Sequence, residues 1–164
     1  MPILSSHSLE IISRSPEQTR RVGMRLGTLL KPGDVVHLTG ELGSGKTTFV
    51  QGISAGWGSL DPASSPTFVL VNVYRRPDRQ MLYHLDAYRL TCVQEAWDLD
   101  LDEMLEGGIL VIEWAERIRE ALPPACLRVR LTMVEENQRD LLIDAYGSRY
   151  ENLLAAFRKG IYGG

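Results

Sequence analysis

Long hydrophobic runs are missing from this sequence, and no apolar stretch approaches the ~20 residues that a membrane-spanning helix needs. Paired cysteines are missing as well. The two cysteines, Cys92 and Cys126, form no Cys-x-x-Cys, and neither has a histidine at metal-ligand spacing. Both therefore read as reduced, structural thiols rather than a disulfide staple or a zinc site. Excess positive charge is absent: 18 Lys and Arg against 21 Asp and Glu leave a formal net charge of -3. A whole-chain basic surface for gripping nucleic acid is thereby excluded. Arg75, Arg76 and Arg79 do cluster in one expected hairpin turn, which reads either as a solvated loop or as a local basic patch. The N-terminus lacks a basic segment followed by an apolar run, so no secretory leader is expected and the protein is placed in the cytoplasm, with no membrane partner. No repeat, low-complexity tract or linker interrupts the 164 residues, which predicts a single domain, 1–164, large enough to bury its own core.

What is present alternates between helical and extended patterns. Leu9 to Ser13 reads as a short edge strand. Ser15-Pro16-Glu17-Gln18 reads as a helix start, with Ser15 as cap, Pro16 in the first position and Gln18 three residues after the cap. Val22, Leu26, Leu29 and Leu30 carry that helix to Leu30, and Lys31-Pro32-Gly33-Asp34 turns the chain. Val35 to Thr39 reads as a buried strand, and a second helix runs from Thr47 to about Ser54, where Gly56, Gly58 and Pro62 end it. Phe68 to Tyr74 and Gln80 to Leu85 predict an antiparallel hairpin. One acidic helical segment is expected from Gln94 to Leu105, then a buried strand Ile109 to Ile112, then a short helix Ala115 to Leu122. A hairpin of Leu127 to Val134 with Asp140 to Tyr146 and an amphipathic helix Tyr150 to Lys159 complete the chain. The sum is a three-layer α/β fold with a mainly parallel sheet and antiparallel hairpin strands.

Gly40-Glu41-Leu42-Gly43-Ser44-Gly45-Lys46-Thr47 matches the phosphate-binding pattern Gly-x-x-x-x-Gly-Lys-Thr, and it lies between an apolar strand and a helix, where that chemistry requires it. Backbone N–H groups from Gly43, Ser44, Gly45, Lys46, Thr47 and Thr48 can converge on phosphate oxygens, and the helix N-terminus adds partial positive charge. Lys46 supplies a full charge for the β and γ phosphates. The Thr47 hydroxyl suits Mg²⁺, and Thr48 can serve the α phosphate.

Such a loop needs a carboxylate at the end of another core strand. Glu113 follows Ile109-Leu110-Val111-Ile112 and is one candidate; Asp86, at the end of Leu82-Tyr83-His84-Leu85, is the other. Asp86 also suits the orientation or deprotonation of an attacking water, or a simple helix cap. His84 reads as a strand histidine with a satisfied ring, with a catalytic base as the alternative. Thr67, after Ser65-Pro66, is either a strand entry or a switch residue sensing the γ phosphate. Arg89 either faces phosphate or pairs with a carboxylate. Trp114 is either core or an aromatic beside the nucleotide. No Asn-Lys-x-Asp guanine reader occurs, and Asp144-Ala145-Tyr146-Gly147 falls too late to serve, which favours adenine.

The ordered blocks Gly-Glu-Leu-Gly-Ser-Gly-Lys-Thr-Thr, Ser65-Pro66-Thr67-Phe68, Tyr83-His84-Leu85-Asp86-Ala87-Tyr88-Arg89-Leu90 and Val111-Ile112-Glu113-Trp114 resemble the TsaE (YjeE) family, the P-loop ATPases of bacterial tRNA threonylcarbamoyladenosine biosynthesis. The resemblance runs from the Ser15 helix to Arg139. It implies a P-loop NTPase fold with Mg²⁺-dependent ATP binding and slow hydrolysis. It sets metal ligation on Thr47 and Glu113, a switch at Thr67 and a hydrolytic role on Asp86. It also implies adenosine contacts on the Ser15, Glu17, Thr19 helix and the Gln138-Arg139 turn, and a supporting role for the TsaD and TsaB proteins, with tRNA reached through that complex. Glu41 and Ser44 stand where the family commonly has Asp and Ala, a tolerable change because backbone does the binding. A P-loop small-molecule kinase and a nucleotide-gated binding module are the alternatives; the segment after Leu122 lacks the arginine-rich lid of such kinases.

Overall fold

The computed structural model describes residues 7–41, 43–61, 71–90 and 92–162. In chain order its elements are β1 (Ser8–Ser13), α1 (Pro16–Gly27), β2 (Val35–Thr39), α2 (Lys46–Trp57), β3 (Val71–Arg75), β4 (Met81–Asp86), α3 (Val93–Trp97), α4 (Leu101–Gly107), β5 (Gly108–Glu113), β6 (Cys126–Met133), β7 (Arg139–Tyr146) and α5 (Ser148–Tyr162), with 3₁₀ turns at Ala87–Arg89 and Ala115–Ala121. The strands form one seven-stranded sheet in the order β1-β7-β6-β2-β5-β4-β3. Its centre is parallel: β2 lies between β5 and β6, and β4 lies on the far side of β5. The hairpins β3–β4 and β6–β7 and the edge strand β1 add the antiparallel part.

The parallel centre explains the unbroken apolar runs. A strand covered on both faces needs apolar side chains on both. Every residue of β5 is buried, and so are Val35 to Leu38 of β2. One face packs Leu26, Phe49, Ile53 and Phe157 from α1, α2 and α5 onto Leu38, Val111 and Val129. The other packs Ala96, Leu101 and Ile118 from α3, α4 and the second 3₁₀ turn onto Val35, Leu85 and Ile112. At the start of β2, Tyr150 accepts from the Val35 N–H at 2.9 Å and Arg149 pairs with the buried Asp34 at 2.8 Å. These contacts anchor the strand that carries the glycine loop.

Helix ends differ from the expected ones for local reasons. Ser15 does cap α1, accepting from the Gln18 N–H at 3.1 Å, while Gln18 reaches back to the Arg14 N–H at 2.7 Å. The helix ends at Gly27 rather than Leu30, because Leu29 tightens to a 3₁₀ contact with Leu26. Gly56 does not break α2: the helix continues to Trp57, and Gly58 in the left-handed region ends it. The acidic segment is two short helices, because Asp100 adopts φ +55 between them. Ala115–Ala121 is a 3₁₀ turn kinked at Ile118 rather than an α-helix.

His37 on β2 is buried, with its Nδ1 3.9 Å from the Cys126 sulfur. Burial, with the Arg128 and Arg119 charges added, lowers its pKa from 6.5 to about 4. A histidine depressed by folding takes up its proton more readily in the unfolded chain. Its contribution is therefore complete above pH 6.5 and is lost as pH falls towards 4. Urea titrations at pH 7.5 and pH 5 are expected to differ by roughly 2 kcal/mol from this group. His37→Asn should remove that part of the difference; an unchanged pH dependence would refute the assignment.

Candidate functional site

The loop leaves β2 at Thr39 and enters α2 at Lys46. Gly45 is the N-cap residue with φ +103, a region closed to most side chains, and it offers no side chain to satisfy the first-turn N–H groups. Those groups are left for an anion, and the helix dipole favours one there. The loop closes on itself through the Ser44 N–H to Glu41 carbonyl bond at 3.0 Å.

Lys46 is buried and donates to the carbonyls of Gly40 and Glu41, the latter at 3.1 Å. Its ammonium also lies 4.6 Å from the centroid of the Trp114 ring. Burial lowers its pKa, and the Glu113, Glu116 and Asp86 carboxylates act against that shift. Asp86 and Glu113 line the same cleft as Lys46, and a cation beside carboxylates is suited to holding an anion that carries its own counter-ion.

Asp86 and Glu113 are direct partners in the parallel register of β4 and β5, so both candidate carboxylates stand at the C-terminal end of the parallel strands. Each takes a different local role. Asp86 Oδ1 accepts from the Tyr88 N–H at 2.9 Å, which caps the 3₁₀ turn. Glu113 is buried, and His84 Nε2 donates to its Oε2 at 2.7 Å. The satisfied-ring reading of His84 therefore holds, and the base reading is corrected: the ring is fully buried and both its nitrogens are engaged.

A cleft of about 540 Å³ is lined by Gly43, Ser44, Gly45, Lys46, Thr47, Thr48, Asp86, Glu113 and Arg139, together with Glu41, Tyr88 and Trp114. That size suits a nucleotide. Arg139 clamps the β6–β7 hairpin onto the loop, donating to the Gly43 carbonyl at 3.2 Å and to the Glu135 and Glu136 carbonyls at 3.0 Å. Ser15, Glu17 and Thr19 do not line this cleft; Ser15 caps α1, and Thr19 is buried against Ser13 at 2.7 Å. Thr67 lies outside the described residues, and so does the Arg89 side chain. In the β3–β4 turn, Arg75 pairs with Asp61 and Arg76 pairs with Asp78.

Trp114 is half-buried with φ +60, a strained conformation for a bulky residue. Its ring meets Tyr88 at 5.1 Å, and the Arg117 guanidinium lies over the Tyr88 ring, 4.9 Å from its centroid. Trp114 and Tyr88 thus wall the cleft between the two carboxylate-bearing strand ends. Tyr88 had a signal in the sequence, its place in the Asp86-to-Arg89 block, but no chemistry that pattern alone could name. Tyr74, which closes the His84 ring from β3, had none.

The donor set fits Mg²⁺. The Thr47 hydroxyl and the Glu113 and Asp86 carboxylates are hard oxygen ligands. Among the described residues no group of three or more His, Cys, Asp or Glu forms a dedicated metal cage. Mg²⁺ bound with a nucleotide needs none, since one or two carboxylates and the phosphates suffice.

Residues 13–141 match the family model described as threonylcarbamoyl adenosine biosynthesis protein TsaE. The chain is 39% identical over 141 residues to a Bacillus subtilis protein named tRNA threonylcarbamoyladenosine biosynthesis protein TsaE, covering 85% of this chain and 87% of that one. A Nostoc protein of the same name is 40% identical over 151 residues, covering 89% and 91%. The fold superposes on the crystal structure of Bacillus subtilis YdiB with a TM-score of 0.78 at 33% identity, covering 94% of this chain and 96% of the other.

Proposed function

We propose, since this chain belongs to the TsaE family of tRNA threonylcarbamoyladenosine biosynthesis, that it is a Mg²⁺-dependent ATPase of low intrinsic turnover that supports the TsaD–TsaB complex. One observation carries the reading. The unsatisfied first turn of α2, the Lys46 ammonium and the paired carboxylates Asp86 and Glu113 all face a single cleft.

In this reading the first-turn N–H groups and Lys46 hold the phosphates. Thr47 and Glu113 hold Mg²⁺, which when bound neutralises charge on the β and γ phosphates. Asp86 orients the attacking water or takes its proton. Thr67 senses the γ phosphate, and Arg139 stands where the adenosine is expected. The missing guanine reader supports ATP over GTP. The net charge of -3 supports contact with tRNA through partners rather than directly. No helix among the described residues is long and apolar enough to cross a membrane.

The test is reconstituted tRNA modification with TsaD and TsaB, with and without this chain. Modification is expected to stall after few turnovers without it, and ATP hydrolysis is expected to rise when the pair is added. Glu113→Ala and Asp86→Ala are each expected to abolish the stimulation. Sustained modification in the chain's absence would end the proposal. Phosphate transferred to an acceptor, rather than released to water, would replace it with the kinase reading.

A further inference from the structure

We infer that His84, braced by Tyr74, is a positioning residue that sets Glu113 for the cation, an inference that rests on the Mg²⁺-dependent reading above. Tyr74, His84 and Glu113 sit on three adjacent strands, β3, β4 and β5. They form one hydrogen-bonded line: the Tyr74 hydroxyl and His84 Nδ1 are 3.1 Å apart, and His84 Nε2 and Glu113 Oε2 are 2.7 Å apart. All three are buried, at 3%, 0% and 5% exposure. A neutral imidazole satisfies every atom of the line. Tyr74 O–H donates to Nδ1, and Nε2–H donates to the carboxylate, which only accepts.

Burial makes this arrangement decisive rather than incidental. A carboxylate away from water needs a donor, and here the donor is a ring that cannot turn, because both of its nitrogens are held. The line fixes one carboxylate oxygen of Glu113, Oε2, while Glu113 lines the cleft in which the cation would sit. His84 itself does not line the cleft, so it acts through Glu113 and touches no substrate. Partners of this outer kind alter metal affinity by about 10–100-fold when removed.

The experiment measures ATP binding to the full chain by calorimetry, in EDTA and across a Mg²⁺ series. His84→Leu is expected to raise the half-saturating Mg²⁺ concentration by about 10–100-fold, with ATP affinity in EDTA unchanged. His84→Gln places an amide N–H near the Nε2 position and is expected to restore most of the Mg²⁺ response. Tyr74→Phe removes only the hydroxyl and should give a smaller shift in the same direction. Glu113→Gln is the reference. If it abolishes the Mg²⁺ response while His84→Leu leaves it intact, the positioning role is overturned and the metal reading stands. If Glu113→Gln itself responds like the parent chain, both are overturned. Equal losses in EDTA and in Mg²⁺, or a His84→Gln variant as defective as His84→Leu, also overturn the inference. Should His84→Leu fail to fold, Tyr74→Phe decides: an unshifted Mg²⁺ response counts against the line and a raised requirement supports it.

Discussion

Lys46→Ala is expected to lower ATP affinity by about ten-fold or more, measured by titration of the purified chain. In the proposed reading the ammonium makes charge-assisted hydrogen bonds to phosphate oxygens, each worth roughly 1.5–3 kcal/mol. Part of that gain is offset in the parent protein. Lys46 already donates to the Gly40 and Glu41 carbonyls and lies against Trp114, and it must leave them to reach phosphate. Those carbonyl bonds carry charge on the donor alone, whereas bonds to phosphate carry it on both partners and are the stronger, so the phosphate contacts win and the expected loss falls near the lower end of the range. Because Lys46 is buried in the loop, a thermal melt of the variant should accompany the titration. A folded variant with unchanged affinity would show that the phosphates do not sit on this loop.

Gly56→Ala is expected to destabilise the fold by roughly 2–3 kcal/mol, against its own helix propensity. Alanine in a helix interior is favoured over glycine by about 1 kcal/mol. Here it meets backbone: a Cβ on Gly56 would lie 2.0 Å from the Met24 carbonyl oxygen and 2.7 Å from the Met24 Cα. Gly52 is in the same position against Arg20, and Gly23 and Gly27 of α1 face Phe49 and Ile53 of α2. The two helices cross with backbone against backbone, and no flexible side chain is there to yield. A Cβ forces them apart and opens the core that Leu26, Phe49 and Ile53 fill. Gly160→Ala in α5 is the control. Its Cβ would meet Arg25 Nη1 at an ordinary 3.6 Å, and the change should be neutral or stabilise by up to about 1 kcal/mol. Equal urea midpoints for Gly56→Ala and the parent would mean that glycine does not set the crossing.

The strands and the glycine loop were legible because their signals are local. Two-sided burial requires a run such as Ile109 to Ile112, and only a strand, glycine-rich turn and helix in succession can aim N–H groups at one anion. The misread points are those where tertiary contacts override local preference. Gly56 reads as a breaker, yet it lies inside a helix because the neighbouring helix passes too close for any side chain. The acidic stretch reads as one helix, yet Asp100 turns left-handed so that α3 and α4 can both lie on the sheet.

From the sequence alone came the phosphate-loop chemistry, the two competing carboxylates and the family. Those rest on residue type and short spacing, which the chain carries whatever its fold. Only the tertiary structure decided that Asp86 and Glu113 are register partners on neighbouring strands, and that Tyr74 and His84 back one of them. That outcome depends on β4 pairing in parallel with β5 in one register. Register between distant strands is set by burial on both faces of the sheet, a property of the assembled layers that no short segment contains.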